Sequence, residues 1–243
     1  MKKVLGVIPA RFKSSRFPGK PLAQILGKPL VIHVAEKVSV ALGKENFVVA
    51  TEDQRIVDQV EQWGYRAMLT TDSPRTGIDR LWAVAQQIRA EHYINVQGDE
   101  PMIAPEDILK VYHARLKTPR CITNGYCPLS ASEDPHSVNI PKVIVNEREE
   151  LIYMSRLALP GIKGRFDKPA YYKQVCIYAF TYEELKAFGE RKEKTRLESF
   201  EDIEILRFLE MGYRIKMVKT SGSSLAVDVP EDIAAVEKAL QGL

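Results

Sequence analysis

VLGVIPARFKSSRFPGKPL, residues 4–22, decides the fold. The apolar run 4–8 predicts a buried strand, and Pro9 closes it. Arg11, Lys13, Arg16 and Lys20 follow, mixed with Ser14, Ser15, Gly19 and two prolines. That mixture predicts a basic, turn-rich loop leaving the strand's carboxyl end, where open α/β sheets bind their ligands. Four cations in one loop point to a strongly anionic ligand, most simply a triphosphate. A solvated basic loop is the plainer alternative.

Bulk properties narrow the class. The chain has 243 residues, suited to a single α/β domain over 1–243. A formal charge of +3 is too mild, and too evenly spread outside the first loop, to argue for nucleic acid. The three cysteines, Cys121, Cys127 and Cys176, have no metal-ligand spacing and fit a reduced, cytoplasmic setting. No apolar stretch reaches membrane-spanning length.

Working outward, periodicity predicts a helix from Pro29 as its first residue, a strand at 46–50, and a helix capped by Thr51 or Asp53. A strand at 65–69, a helix at 78–88 and a strand at 93–97 follow. This alternation predicts a mostly parallel sheet flanked by helices. Pro105 opens another helix, and 121–127 reads as a strand. The character then changes: 143–145, 151–154 and 171–180 predict an inserted antiparallel, β-rich segment spanning roughly 129–182. A short helix at 181–188, one longer helix at 198–211, a strand at 213–219 and a terminal helix at 231–243 complete the reading.

The first loop lacks G-x-G-x-x-G, which argues against a dinucleotide site, and it fails as a Walker loop at Ser14 and Pro21. Hydroxyls and backbone N–H groups at Ser14 and Ser15, planar forks at Arg11 and Arg16, and the point charge of Lys20 still make a phosphate site. A triphosphate brings a divalent cation, and Mg²⁺ takes one or two carboxylates plus phosphate oxygens. Asp99, after the strand in NVQGDEP, and Asp228, in AVDVPED, are the candidates. For Asp228 a helix cap is the competing role, and for Asp99 an Asx-turn. Asp72 and Asp79 are weaker metal candidates. The four histidines have no ligand spacing.

PARFKSSRFPGKPL at 9–22 and NVQGDEPMI at 95–103 resemble two signatures of the 3-deoxy-manno-octulosonate cytidylyltransferases, the CMP-Kdo synthetases. TGIDRL at 76–81, YMSR at 153–156, the stretch from Leu197 to Arg207, and DVPED at 228–232 are similar to further blocks in the same order. The resemblance implies a Rossmann-like, glycosyltransferase-A-type nucleotidyltransferase fold, a homodimer, and dependence on Mg²⁺ held by Asp99 and Asp228. It implies transfer of CMP from CTP to 3-deoxy-manno-octulosonate (Kdo), giving CMP-Kdo and pyrophosphate, for lipopolysaccharide synthesis in the cytosol. Carried over by motif, Pro9, Ala10, Arg11, Ser14, Ser15, Arg16, Lys20, Arg75, Gly77 and Arg80 would contact the nucleotide. Lys20, Arg16, Asp99 and Asp228 would serve catalysis. Arg80, Gln97, Tyr178, Glu201 and Glu204 would contact or frame the sugar acid. The β-rich segment would serve dimerisation and sugar binding.

The chain departs from the family pattern at 73–78 (SPRTGI), at 139–143 (NIPKV), and at 172–180. In the last, Gln174 stands for a histidine and Cys176 for a glycine. These changes spare the triphosphate and metal positions and fall on the sugar side. They keep open the same transfer to a related acid, an 8-amino-Kdo or a sialic acid. A nucleotide-binding protein without catalysis is the rival from another class.

Overall fold

The N-terminal apolar run forms β1 (Lys2–Pro9), buried from Leu5 onward. The structure is a computed structural model that describes residues 1–14, 16–72, 74, 76–131, 133–164, 170–222 and 225–242. After β1 come the short antiparallel pair β2 (Gln24–Ile25) and β3 (Lys28–Pro29), α1 (Leu30–Leu42), β4 (Phe47–Thr51), α2 (Gln54–Gln62), β5 (Ala67–Leu69), α3 (Gly77–Gln87) and β6 (Ala90–Val96). The chain continues through α4 (Pro105–Lys117), β7 (Ile122–Pro128), β8 (Lys142–Val145), β9 (Leu151–Ser155), β10 (Tyr172–Thr181) and α5 (Tyr182–Glu190). It ends with α6 (Arg196–Glu201), α7 (Ile205–Glu210), β11 (Ile215–Lys219) and α8 (Asp232–Gln241).

The main sheet runs β11-β7-β10-β6-β1-β4-β5. β1 pairs in parallel with both β4 and β6, and β4 with β5. β10 enters antiparallel between β6 and β7, and β11 returns parallel to β7. The sheet is thus mostly parallel and flanked by helices, as its alternating sequence pattern requires. Alternate residues of β1 feed two cores. Leu5 and Val7 join Leu81, Phe180 and Phe208 on one face, while Ile8 joins Val34, Val38 and Val111 on the other.

Three features differ from the sequence reading. Pro29 caps α1 rather than opening it, because Lys28 and Pro29 pair with Ile25 and Gln24 first. Residues 172–181, read with the inserted segment, lie in the middle of the main sheet, and the β8–β9 hairpin joins that sheet through β10. The helix expected at 198–211 breaks into α6 and α7 at Asp202, whose φ of 49° is left-handed. The break exposes backbone carbonyls that Arg156 takes up. Its Nη2 donates to Asp202 O at 3.0 Å and its Nε to Glu201 O, while its Nη1 reaches away from the break to Val138 O at 2.7 Å.

Across the break, Arg207 of α7 grips Glu198 of α6. Nε and Nη2 each lie 2.6 Å from a carboxylate oxygen, and both side chains are almost wholly buried. Removing Glu198 leaves the buried Arg207 guanidinium with a single, longer ion pair, to Asp79 Oδ1 at 3.4 Å. Glu198→Ala is therefore expected to lower unfolding free energy by about 3–5 kcal/mol in urea titrations. A loss well under about 1 kcal/mol would instead place this pair with exposed ion pairs in its energetic weight.

Candidate active site

The loop after β1 is held from beneath by Glu52, at the end of β4. Its Oε1 accepts Phe12 N–H at 2.9 Å and Lys13 N–H at 3.3 Å. Its Oε2 lies 2.9 Å from Arg80 Nη2, and both side chains are buried. Arg80, expected at the nucleotide or sugar, therefore stands behind the loop. From the first turn of α3 it faces the core rather than the cavity, and burial lowers its pKa. It acts on the site through Glu52.

The loop then carries Lys20 to the centre of the site. Its ammonium donates to Asp99 Oδ2 at 2.7 Å and to Val227 O at 2.8 Å, and lies 3.9 Å from Asp228 Oδ1. Arg16 reaches the same carboxylate, with Nη2 at 2.9 Å from Asp228 Oδ1 and Nη1 at 2.9 Å from Asn139 Oδ1. Asp228 is not the cap of α8. Glu231 holds that position without a side-chain bond, and Asp232, in the first turn of α8, accepts the N–H groups of Asp228 and Val229 at 2.7 and 3.0 Å. Asp228 is thereby released toward Asp99, and burial, then the charge of Asp99, raises its pKa.

Two glycines let the walls close. A Cβ on Gly98 would stand 2.8 Å from Pro9 O, and one on Gly77 would stand 2.8 Å from Gln97 Nε2. Each would force a shift, so the absence of a side chain brings the ends of β1 and β6, and the start of α3, together. Gly77 and Ile78 then donate their N–H groups to Glu204 at 2.9 and 2.7 Å. These are free donors of a helix N-terminus, which favour the ionised carboxylate. Burial works against them and prevails, pushing Glu204 up to about 7.

Two adjoining cavities result. The larger, about 820 Å³, is walled by Pro9, Ala10, Arg11, Ser14, Arg16 and Lys20 on one side and by Gly77, Gln97, Asp99 and Glu204 on the other. The smaller, about 420 Å³, shares Arg16, Gln97, Asp99, Cys176 and Glu204 and adds Asp228, Gln174 and Tyr178. Ser15 and Arg75 lie outside the described residues. Glu201 does not reach either cavity. Its carboxylate accepts Ser155 Oγ–H at 2.6 Å and Arg156 N–H at 2.8 Å, fastening α6 to β9. Asp79 and Asp72 do not join Asp99 either: Asp79 closes a capping box with Thr76, and Asp72 pairs with Lys13.

Sequence reading missed Asn139 and Arg156, which line both cavities. Asn139 sits in the variant stretch NIPKV and Arg156 in YMSR, so the signal was present, but its place beside Arg16 depends on tertiary packing.

Asp99 and Asp228 converge on a cation, here the Lys20 ammonium. No group of three or more acidic, histidine or cysteine side chains able to hold a metal occurs among the described residues. Two carboxylates beside a basic cavity suit an ion that keeps phosphate and water ligands, and do not suit an all-protein cage.

A cytidylyltransferase family model matches residues 5–217. A 3-deoxy-manno-octulosonate cytidylyltransferase of Geobacter metallireducens is 38% identical, covering 98% of each chain. The chain belongs to the 3-deoxy-manno-octulosonate cytidylyltransferase family. An Escherichia coli relative of the same description is 35% identical over 98% of this chain and 95% of its own. A solved CMP:2-keto-3-deoxy-manno-octonic acid synthetase in complex with CTP superposes with a TM-score of 0.91, at 34% identity, over the whole of both chains. The cytidylyltransferase cavities described here therefore sit on a fold shared along its full length with a CTP-binding relative.

The raised pKa of Glu204 has a measurable sign. Below its unfolded value of 4.5 the group is protonated in both states, and between 4.5 and about 7 the native state holds more protons. Over that window this group makes stability fall as pH rises. In Glu204→Gln that component of the slope is expected to vanish, whatever the variant's absolute stability. Thermal melts of both proteins from pH 4.5 to 8 check this, and parallel curves would contradict it.

Proposed function

We propose that this enzyme transfers CMP from CTP to the anomeric 2-hydroxyl of Kdo and releases pyrophosphate. The observation that carries the reading is the Lys20 ammonium bridging Asp99 and Asp228 where a basic cavity meets a smaller polar one. The full-length likeness to a CTP-bound synthetase supports it.

The triphosphate occupies the larger cavity, against Arg11, Ser14, Arg16 and Lys20. The acid sugar occupies the smaller one, framed by Gln97, Tyr178 and Glu204. Phosphoryl transfer of this kind depends on positioning and electrostatic stabilisation more than on covalent help from the protein. Asp99 and Asp228 would hold Mg²⁺, which supplies Lewis-acid polarisation of the phosphoryl group under attack. Lys20 and Arg16 offset the charge that grows on the departing pyrophosphate. Gln97, fixed against Gly77, and Glu204, fixed by the first turn of α3, orient the sugar so that its anomeric hydroxyl faces the α-phosphorus. None of the four histidines is placed at the reacting atoms by this reading.

The reaction runs in the cytosol; no described helix is long and apolar enough to cross a membrane. The enzyme works as a homodimer. Ile152 on β9, Leu157 just beyond it, and Phe200 on α6 are exposed apolar side chains on elements tied together by Glu201 and Arg156. Such a patch supports an interface between two copies.

Pyrophosphate release with CTP, Mg²⁺ and Kdo tests the transfer, with UTP, an 8-amino-Kdo and a sialic acid as alternatives. Kdo with CTP is expected to turn over fastest, and CTP binding without release under any acid would favour the non-catalytic rival. Asp99→Asn and Asp228→Asn are expected to abolish turnover with circular dichroism unchanged. Lys20→Met is expected to lower kcat by about 10²-fold. For the dimer, Leu157→Glu combined with Phe200→Glu is expected to yield monomers in light scattering, and an unchanged mass would move the interface elsewhere.

A further inference from the structure

β10 changes register against β7. Val175 lies opposite Gly125, but Tyr178 lies opposite Asn124, so a bulge takes up the residues between. A bulge removes carbonyls from the ladder and re-aims side chains. Here Asn124 repairs the loss. It is fully buried, and its Nδ2 donates to Val175 O at 3.0 Å and to Ile177 O at 2.9 Å. Both N–H bonds of that amide are then spent, and its oxygen can face only the other way.

That oxygen meets Gln174. Gln174 Nε2 donates to Asn124 Oδ1 at 3.1 Å and to Tyr178 Oη at 2.9 Å. A second amide nitrogen is thereby fully used. Turning the Gln174 amide over would set its oxygen against the Asn124 oxygen and leave a buried acceptor without its donor. The orientation is imposed from the interior of the sheet outward, one amide fixing the next. Gln174, Cys176 and Tyr178 alternate along β10, and all three line the smaller cavity. Neither Gln174 bond uses Oε1, the acceptor.

We propose that Asn124 locks the Gln174 amide so that it offers an acceptor to the sugar acid, making Gln174 select a hydrogen-bond donor there. This deepens the transfer reading and rests on it. The chemical class follows directly. A hydroxyl or a protonated amine satisfies Gln174 Oε1, whereas the substrate's carboxylate, which only accepts, is turned away from β10. Glu100, whose side chain lines the same cavity, acts in the same sense. Gln174 is a specificity residue, and Asn124 is a positioning residue that acts through it.

The test pairs enzyme and substrate changes. Monofluoro analogues of Kdo, each replacing one hydroxyl by a group that cannot donate, are assayed for pyrophosphate release with the natural chain. One analogue, at a hydroxyl remote from the reacting 2-position, is expected to lose about tenfold in kcat/KM. Gln174→Met, which keeps the bulk and removes the acceptor, is expected to raise KM for Kdo by a similar factor with KM for CTP unchanged. With that variant the sensitive analogue and Kdo should agree within about twofold, as the closing of a double-mutant cycle requires. The natural chain alone decides the first arm, so a variant that fails to fold does not remove the test. Equal kcat/KM for every analogue, or equal discrimination in Gln174→Met, would overturn this inference alone. No release from the natural chain with any acid sugar would overturn the transfer reading and the inference with it.

Discussion

The ammonium of Lys20 ties three distant segments of the chain to one point. It is delivered by the loop after β1, meets Asp99 at the end of β6, and bonds Val227 just before Asp228. Val227 N–H in turn donates to Asp99 O at 2.9 Å, so the third segment is also clipped directly to the second. A largely buried cation between two carboxylates satisfies charges that would otherwise repel at short range. The cavities, the aim of Arg16 and the released position of Asp228 all depend on that arrangement.

Behind it stands a second tier of charged groups, of which Glu52, Arg80 and Glu201 line neither cavity. Glu52 holds the loop by two N–H groups while Arg80 neutralises it from the core. Glu201 fastens α6 to β9, and Arg156 spans β9, the loop at Val138 and the break at Asp202. Each is an ionisable side chain spent on holding backbone in place. Such groups give the reacting side chains a rigid support, on which transition-state stabilisation depends.

This second tier is where the sequence is least legible. The buried run 4–8, the parallel alternation and the basic loop after the first strand could be read from local pattern, because a strand's apolar run and a loop's charge are local properties. Arg80 could not, since an arginine on a helix's first turn looks the same whether it faces a ligand or the core. The single helix expected at 198–211 failed because apolar periodicity carries across Asp202 while the backbone turns left-handed there. β10 was read as a strand but assigned to the inserted antiparallel segment, because its own sequence does not say which strands will flank it. Its antiparallel entry between β6 and β7 is a property of topology.

That topology separates two duties. The larger, basic cavity is lined by the loop leaving a parallel strand, whereas much of the smaller cavity proposed for the acid sugar is one face of β10, hydrogen-bonded along both edges. A strand held on two sides can exchange alternate side chains without moving its backbone. The acid that is activated can therefore drift over evolutionary time through a few substitutions at every second position of β10 and their partners on β7. The grip on the nucleotide is inherited unaltered, and the fold becomes a fixed engine with an interchangeable acceptor socket.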